Sequence, residues 1–565
     1  MIALTMTTAA TVHAAAPATA PLVLYTDIAS GPNAGGENNN GAYLSIFGKN
    51  FGATGLGTRT IVRIGGADVA SYRYIGASKG RHDVQQITVQ VGALGNPTPG
   101  VAQSVQVFVN GVASNNDVTF AVNPGRLLFV DNVRGIDSTA VPGDIAHPYR
   151  HVQTSDTTKA AYGAMLPGDI IVMRGTGTAW TDLGNDTYFI KFINKDGTPP
   201  TGASGTGPLT LMAYPNEDVF IDIVGNVGKK GAISGIDTTG GFAGGHWVTL
   251  ADLRVESGGN AGVIATQIAG DHWRIVNNEL TAATATNNAL AGGINGNATN
   301  AYWFGNHIHD IAGGSNQENH GIYIDGDGSY EIAYNLIENV SGGSGFQVFV
   351  NGGNGSDFGN NINFHHNQAH GISKNGLVLG EGAQNAIVLA DNIVYDTAYG
   401  CLRFDSAALH GAKIYNNTLY DCDTAGTTQL QAAVMNDSVP PSDAFDMRNN
   451  IVVPKPGQPY SGGSVGLDDT MGTFSHNLWF GGTGDVSFDA TALTVDPKFV
   501  AATAHEFHLQ SASPAINAGD AAVAAVVTTD YDAVVPRTVG AGIDIGAFEY
   551  DAGYVYDRIF ADGFQ

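Results

Sequence analysis

From Gly245 onward the chain repeats one pattern of apolar and polar positions. An apolar or aromatic pair is followed by an asparagine and then by a short apolar strand. The asparagines are Asn278, Asn306, Asn335, Asn367, Asn392, Asn417, Asn450 and Asn477, with spacings of 28, 29, 32, 25, 25, 33 and 27 residues. A second short strand follows a glycine within most repeats, and no long helical period is present. A repeat of about 28 residues predicts one coil of a solenoid of stacked parallel strands.

The asparagine row is expected to be structural. Asparagine tolerates left-handed backbone angles, and its amides can form a ladder along a stack of strands. Histidines beside the apolar strands, such as His307 and His366, are expected to be stacked surface residues rather than ligands.

The front of the chain, residues 21–123, alternates short apolar runs with Gly, Asn and Pro turns, which predicts an antiparallel β-sandwich. The stretches GAYLSIFGKNFG, IGGADV and SVQVFVNGVASN resemble an immunoglobulin-like IPT/TIG domain. This resemblance implies a spacer or a module that contacts carbohydrate or protein. Pro124 and Gly125 mark its predicted end.

The sequence pattern changes in the region that begins near His147. HPYRHVQTSDTTKAAYGAMLPGDIIVMRGTG, from His147, resembles the start of the right-handed parallel β-helices of the pectate-lyase-like superfamily, in which a helix caps the first coil. VDPKFV, HEFHLQSASPAINAGD and IDIGAFEY resemble the C-terminal coils of secreted bacterial proteins of the choice-of-anchor type, and DRIFADGFQ resembles a sorting tail. We therefore expect an all-β chain with a leader at 1–20, the sandwich at 21–123, a β-helix at 124–495, its last coils at 496–550 and a tail at 551–565.

Composition narrows the class of protein further. Only 13% of the residues are charged, 77 are glycine and 21 are proline, and glycine has no three-residue period, which excludes collagen. The formal charge of −26 disfavours nucleic acids and anionic membranes as partners. No apolar run of membrane-spanning length follows the N-terminus. The leader and the tail favour export from the cytoplasm of a Gram-negative bacterium. Cys401 and Cys422 are expected to form either one disulfide or two buried thiols.

Candidate chemistry comes from aligning the strands that follow Gly321, Gly345, Gly376 and Gly400. In this alignment Ile322, Phe346 and Leu377 point inward, and a one-residue shift brings Leu402 into the row. The outward side chains then include Tyr323, Asp325, Gln347, Arg403 and Asp405. Lys374 directly precedes one strand, His320 precedes another, and Glu381 and Asp405 lie on adjacent coils, with their carboxylates within about 5 Å.

The resemblance and these groups predict a secreted polysaccharide lyase that cleaves a uronic-acid polymer by β-elimination. Lys374 or Arg403 would be the base or would neutralise the substrate carboxylate, and His320 with Tyr323 would be a reserve acid and base. Gln347 and Asp325 would bind substrate, while Glu381 and Asp405 could hold Ca²⁺. The alternatives are a glycoside hydrolase that uses Glu381 and Asp405, and a non-catalytic carbohydrate-binding adhesin. We expect a monomer.

Overall fold

The computed structural model describes residues 20–52, 55–154, 160–182, 188–192, 207–224, 232–234, 246–258, 263–265, 270–283, 292–296, 298–312, 319–350, 358–426 and 431–552. The expected leader, apart from Ala20, and most of the expected tail lie outside these ranges. The predicted all-β class is confirmed: among the described residues the one α-helix is Ala160–Ala164, and four 3-10 turns span Glu37–Asn39, Asp137–Thr139, Ala502–Ala504 and Ala521–Ala525. None of the described helices is long and apolar enough to cross a membrane.

The N-terminal region forms two sheets whose pairing is mostly antiparallel, because its apolar residues alternate along short strands separated by turns. The first sheet contains, in spatial order, Leu22–Thr26, Tyr43–Lys49, Gln85–Gln90 and Ser71–Ala77. The second contains Ser30–Gly31, Thr119–Val122, Ala102–Val109, Thr60–Ile64 and Ala67–Asp68, with Val112–Ala113 beside Ala102–Val109. Side chains such as Val89, Val107 and Phe120 fill the core between them.

The strands from Leu127–Val130 to Leu478–Trp479 form the predicted parallel β-helix, and it has three sheets. The coils from Leu209–Ala213 to Ser461–Gly462 pass through sheet 1, then sheet 2, then sheet 3, and hydrogen bonds join each strand to its equivalent in the next coil. Sheet 1 contains Leu127–Val130, Ile170–Met173, Leu209–Ala213, Val248–Ala251, Arg274–Val276, Ala301–Phe304, Asp327–Ala333, Phe358–His365, Val388–Ala390, Ala412–Tyr415, Phe445–Arg448 and Gly472–Ser475, with Ala383–Asn385 and Ala408–His410 attached.

The other two sheets have ten strands each. Sheet 2 contains Phe220–Ile223, Arg254–Ser257, Glu279–Ala282, His307–Ile311, Leu336–Val340, Gln368–Ile372, Ile393–Thr397, Thr418–Cys422, Ile451–Pro454 and Leu478–Trp479. Sheet 3 contains Ile190–Lys191, Ile233–Ser234, Ile264–Ala265, Ile294–Gly296, Ile322–Ile324, Phe346–Val348, Leu377–Leu379, Leu402–Phe404, Val434–Asn436 and Ser461–Gly462. Gly270–Asp271 pairs separately with Ala298–Thr299, and Phe499–Ala501 pairs with Glu506–Leu509.

The predicted strand register is confirmed in sheet 3. Ile322 pairs with Phe346, Phe346 with Leu377, and Leu377 with Leu402, which includes the expected one-residue shift relative to glycine. These side chains are buried, whereas Tyr323, Gln347 and Arg403 alternate with them on the outer face. The stacked apolar side chains form one continuous core, with the Phe346 and Phe364 rings 4.3 Å apart.

The asparagine row forms the expected ladder. From Asn306 onward, each Oδ1 accepts hydrogen bonds from the backbone N–H and the amide of the ladder residue one coil earlier, with amide to Oδ1 distances of 2.9–3.2 Å. Asp489 ends the ladder, since its Oδ2 accepts from the Asn477 backbone and amide at 3.1 and 2.8 Å. The left-handed angle belongs to the residue before each ladder asparagine rather than to the asparagine itself, as at Tyr334, where φ is 60°.

These preceding residues form what we call the corner row, between sheets 1 and 2. Its members are Asp252, Asn277, Gly305, Tyr334, His366, Asp391, Asn416, Asn449 and His476. The N-terminal sheets cover its first part: the Tyr25 ring stacks on Tyr334 at 5.4 Å, and a Cβ on Gly305 would lie 2.1 Å from the Tyr25 hydroxyl. The Lys79 ammonium donates to the Asp252 carbonyl at 2.7 Å.

The C-terminal segment, residues 496–552, covers the remainder of the corner row. We expected it to add coils to the β-helix, but its strand pair is antiparallel and the segment runs back along the helix. Its Arg537 forms buried ion pairs with Asp391 and with Glu549, and Asn416 donates to the Asp544 and Gly546 carbonyls at 2.9 and 3.0 Å.

His366 corrects the expectation of a surface histidine. It is buried and its Nε2 lies 2.9 Å from the Asp530 carbonyl oxygen of the C-terminal segment. Arg81 of the N-terminal sheets donates to the His366 and Tyr531 carbonyls at 3.2 and 2.7 Å. Three distant parts of the sequence therefore meet at this point.

The two cysteines, which the sequence left open, form a disulfide. Cys401 and Cys422 lie in successive coils, with their Cα atoms 5.2 Å apart.

The short helix Ala160–Ala164 packs Ala161 and Tyr162 into the main core, beside the first strand of sheet 1.

Candidate functional site

The outer face of sheet 3 holds most of the predicted site residues, and Arg403 is the most constrained of them. Its guanidinium donates to Asp405 and to Asp437, each at 2.8 Å. Asp405 also accepts from the Ser438 hydroxyl at 3.3 Å, and Asp437 accepts from Ser464. Because two carboxylates already neutralise Arg403, this group is a structural ion-pair network rather than a free cation.

The predicted Ca²⁺ site does not fit this geometry. Counting on from the Leu379–Phe404 pair places Gly380, not Glu381, opposite Asp405. Asp405 is held by Arg403, while Glu381 is exposed. Among the described residues no group of three or more His, Cys, Asp or Glu side chains is arranged to hold a metal ion.

The second predicted group, around His320, is brought together as expected. The His320 and Tyr323 rings stack at 5.4 Å, the Tyr323 hydroxyl lies 3.5 Å from Asp325, and the Gln347 side chain lies 3.4 Å from the Ser344 hydroxyl. Burial lowers the pKa of His320 to about 4. Its Nδ1 accepts the Ser344 N–H at 2.9 Å, so the neutral ring carries its proton on Nε2 and can donate there but cannot act as a base.

Lys374 is the predicted site residue whose positive charge is least neutralised by neighbouring groups. Its ammonium lies 3.2 Å from the Tyr399 hydroxyl and 4.8 Å from the centre of that ring, and no carboxylate pairs with it among the described residues. Lys374 lies in the turn between sheets 2 and 3, directly after Ser373. The strand of sheet 2 before this turn contains a left-handed residue, one of a row that the sequence pattern did not predict.

A second row of left-handed residues, the bulge row, lies within sheet 2. Its members are Asp310, Asn339, Gly371, Asp396 and Asp421, with φ of 51°, 55°, 63°, 51° and 49°. Each is an extra residue in the strand: the register shifts between Thr281 and Ala282, opposite Asp310, and again between Tyr420 and Cys422, at Asp421, where the row ends. Apart from Asp310, which binds His309, none of these side chains has a hydrogen bond within the described part of the chain.

Four members of the bulge row, all except Asp421, line an open groove along the β-helix, with a volume of about 600 Å³. On the side facing sheet 3 the groove is lined by small side chains, one from each of six coils: Ala283, Ala312, Ser341, Ser373, Ala398 and Thr424. On the other side it is lined by Asp310, Asn339 and Asp396. Small residues on one side and carboxyl or amide groups on the other leave room and hydrogen-bond capacity for a polar chain running along the helix.

Two carboxylates of the bulge row are neighbours across successive coils. Tyr395 pairs with Tyr420 and Thr397 with Cys422, so Asp396 lies opposite Asp421. Equivalent atoms of adjacent parallel strands are about 4.8 Å apart, and the two residues share one backbone conformation. Partial burial and the negative charge of Asp396 raise the pKa of Asp421, while Lys455 and His505 act in the opposite direction.

A row of rings and carboxylates on sheet 2 lies beside the bulge row. Glu338 binds His307 at 2.8 Å and His370 at 3.1 Å, and these two bonds hold the pKa of Glu338 well below its usual range. His370 stacks on Tyr395 at 4.6 Å, and Tyr395 stacks on His505 of the C-terminal segment at 4.1 Å. This row supplies ordered, partly exposed ring surface next to the Asp396–Asp421 pair.

The fold and the groove define the class of protein as a parallel β-helix with an open polar groove along one side. Comparison with known proteins adds no family to this description: no family model matches the chain, and no curated protein matches it.

Proposed function

We propose that this protein is a secreted, polysaccharide-degrading enzyme whose substrate lies in the groove beside the bulge row. The observation that carries this proposal is the Asp396–Asp421 pair. Asp396 lines the groove, and Asp421, whose pKa is raised, lies opposite it in the next coil. A carboxyl group whose pKa is raised, beside a second carboxyl group, is typical of acid and base catalysis.

This pair favours hydrolysis of a glycosidic bond over the β-elimination that we expected from the sequence. Asp421, with its raised pKa, would protonate the leaving oxygen, and the more exposed Asp396 would attack the sugar carbon to form a glycosyl-enzyme, which water then hydrolyses with Asp421 as the base. Carboxyl groups about 5 Å apart correspond to a retaining mechanism. The coil spacing of about 4.8 Å therefore predicts that the anomeric configuration is retained.

The charge of the groove also changes the expected substrate. Asp310, Asp396 and Asp421 carry no compensating arginine in the described part of the chain, so a polyuronate would meet repulsion along most of its length. A neutral polysaccharide would instead donate hydroxyl hydrogen bonds to these carboxylates and to Asn339. We therefore propose a neutral substrate in place of an acidic one.

Elimination is a second candidate because Lys374 lies beside Tyr399 and no carboxylate neutralises its charge among the described residues. An ammonium 3.2 Å from a phenol oxygen would stabilise the phenolate, and a phenolate could remove a proton next to a sugar carboxylate. This chemistry would use the side of the groove that faces sheet 3, with Lys374 as the group that attracts the substrate carboxylate.

One assay separates these reactions. The protein is incubated with a panel of neutral and acidic polysaccharides, while reducing ends and ultraviolet absorbance of unsaturated sugars are both recorded. Reducing ends without new absorbance support hydrolysis, and new absorbance supports elimination. Binding without either signal would favour the non-catalytic adhesin. Loss of the reducing-end signal in Asp396→Asn but not in Asp469→Asn, an exposed carboxylate elsewhere, would assign the reaction to the groove.

A further inference from the structure

The groove differs at one coil, where Gly371 takes the place of an Asp or Asn side chain in the bulge row. In the neighbouring coils a bulge-row residue and the residue two positions later line the groove, as Asn339 and Ser341 do. In the coil of Gly371 the residue between them, Ile372, lines the groove as well. The Ile372 side chain packs in the core, so its backbone is the part that faces the groove. Because glycine has no side chain to cover that backbone, the groove has a recess there, which we call the Gly371 recess.

The fold does not require glycine at this position. The left-handed angle of 63° does not require it, because Asp310, Asn339 and Asp396 hold angles of 51°, 55° and 51° with side chains in place. Packing does not require it either. A Cβ on Gly371 would lie 2.9 Å from the Asn339 Oδ1, which is the far end of a flexible side chain, and 3.3 Å from the Asn339 backbone nitrogen. A glycine within a strand often marks a place where a ligand approaches the backbone closely.

Two side chains that can accept hydrogen bonds flank the recess, one in the coil before it and one in the coil after it. The strand pairs place Asn339 and Asp396 opposite Gly371 on its two sides. Neither side chain forms a hydrogen bond within the described part of the chain, and no described residue that lines the groove is Lys or Arg. Two coil spacings, about 10 Å, separate the two backbones. That distance leaves room for a small substituent of a sugar ring but not for a second chain.

The size and charge of the recess discriminate among the groups that pyranose rings carry on C5. A hexose carries a hydroxymethyl group, which would fill the recess and donate a hydrogen bond to Asp396 or Asn339. A pentose carries only hydrogen there and would leave the recess empty. A uronic acid carries a carboxylate, which would lie beside Asp396 with no cation to neutralise it among the described residues that line the groove. Of the three groups, the recess therefore favours hydroxymethyl.

We infer that the Gly371 recess receives the hydroxymethyl group of a sugar ring bound beside Asp396, and that Gly371 thereby makes the enzyme specific for neutral hexose polymers. The inference rests on the proposed function, since it assumes that the bond is cleaved at Asp396. It adds to that function a substrate class and a residue that determines it through the space it leaves. A site that hydrogen-bonds a substrate hydroxyl discriminates strongly against an analogue that lacks it, because its polar groups are then left unpaired.

The test uses the full chain and labelled oligosaccharides of the neutral polymer that gives the strongest reducing-end signal in the panel. These are compared with two analogues of the same linkage and ring stereochemistry, one with hydrogen in place of each hydroxymethyl group and one with a carboxylate. We expect the wild type to cleave the hexose oligosaccharide with a kcat/KM at least about tenfold above that for either analogue.

Gly371→Asn tests the recess itself. Asparagine accepts the left-handed angle, as Asn339 does, and its side chain would occupy the recess. We expect kcat/KM for the hexose oligosaccharide to fall about tenfold and kcat/KM for the hydrogen analogue to stay within about twofold of the wild-type value. Gly411→Asn is the matched control, since Gly411 also has a left-handed angle, does not line the groove, and has no described atom within 4 Å of an added Cβ. This control is expected to keep the wild-type preference.

Failure of the inference and failure of the proposed function are distinguishable. If the wild type cleaves the hydrogen analogue as fast as the hexose oligosaccharide, if its best substrate is a pentose polymer, or if a folded Gly371→Asn protein keeps the wild-type preference, the recess does not select the substrate but the proposed function stands. If the wild type cleaves no polysaccharide in the panel, the proposed function fails, and the inference fails with it. The thermal midpoint shows whether Gly371→Asn is folded, and the wild-type comparison tests the inference without any variant.

Discussion

The corner row and the bulge row have the same backbone conformation but opposite surroundings. Both place one left-handed residue in each successive coil, the first between sheets 1 and 2 and the second within sheet 2. The N-terminal sheets and the C-terminal segment cover the corner row, so Asp391 and His366 have buried partners from other parts of the chain. The bulge row is open, and Asp396 and Asn339 are exposed.

The difference shows where the chain uses polar side chains for its own stability and where it leaves them available. Strained left-handed residues persist only when the surrounding structure holds them or when their position has a use. In the corner row the covering segments hold them. In the bulge row Asp396 and Asn339 have no such partners within the described residues, which supports our proposal that this row binds a ligand.

The strongest test of whether the covered corner row stabilises the protein is Arg537→Met. Arg537 is fully buried between Asp391 and Glu549, so its removal leaves two carboxylates without their cation. Breaking such a buried pair is expected to lower the free energy of unfolding by about 3–5 kcal/mol. Urea unfolding measures this. The matched change Arg403→Met, on the open face of sheet 3, should cost no more than about 1 kcal/mol. Equal effects of the two changes would contradict the comparison.

The asparagine ladder provides a smaller effect. Asn367→Ala removes a buried amide that donates to the Ile332 and His365 carbonyls and accepts from Asn335, and it should destabilise the protein by about 1–3 kcal/mol. Asn339→Gly, in the bulge row, should be close to neutral because glycine accepts a left-handed angle without strain. Thermal unfolding of both variants is the measurement. A costly Asn339→Gly would mean that the bulge row is structural after all.

The pH dependence of the C-terminal segment gives the smallest expected effect. Burial alone would lower the pKa of His508, but Asp532 and Glu506 outweigh it and raise the pKa to about 9. A raised pKa means that this stabilisation is complete below about pH 6.5 and is lost as the pH rises through 9. Burial and Asp532 also raise the pKa of Asp530, which acts in the same direction.

We therefore expect the segment to dock less firmly at pH 9.5 than at pH 6, by on the order of 1–2 kcal/mol. Hydrogen exchange of residues 496–552 at the two pH values measures this difference. His508→Gln should flatten it. An unchanged pH dependence in that variant would assign the effect to other groups.

Part of this structure follows from the sequence and part does not. The coil repeat, the ladder and the sheet 3 register follow from apolar spacing, because one buried face fixes them. The C-terminal segment was wrongly expected to form coils, since its packing on His366 and Asp391 depends on distant contacts that no local pattern reveals.

The bulge row did leave a signal. Four residues after each ladder asparagine the sequence has Asp310, Asn339, Gly371, Asp396 and Asp421, whereas Ala282 and Pro454 occupy that position on either side. Residues that tolerate left-handed angles recur there over five coils only. The ion pairs of Arg403 did not follow from the sequence: Asp437 lies one coil away, and sequence spacing alone does not show that Asp405 and Asp437 both bind the guanidinium.

The most direct test of the central claim is the hydrolysis rate of Asp421→Asn on the best neutral substrate, measured as reducing ends together with the thermal midpoint. Loss of a general acid is expected to slow the reaction by at least about 10²-fold while leaving the midpoint within a few degrees of the wild type. Wild-type activity in a folded Asp421→Asn protein would contradict the assignment of this groove as the catalytic site.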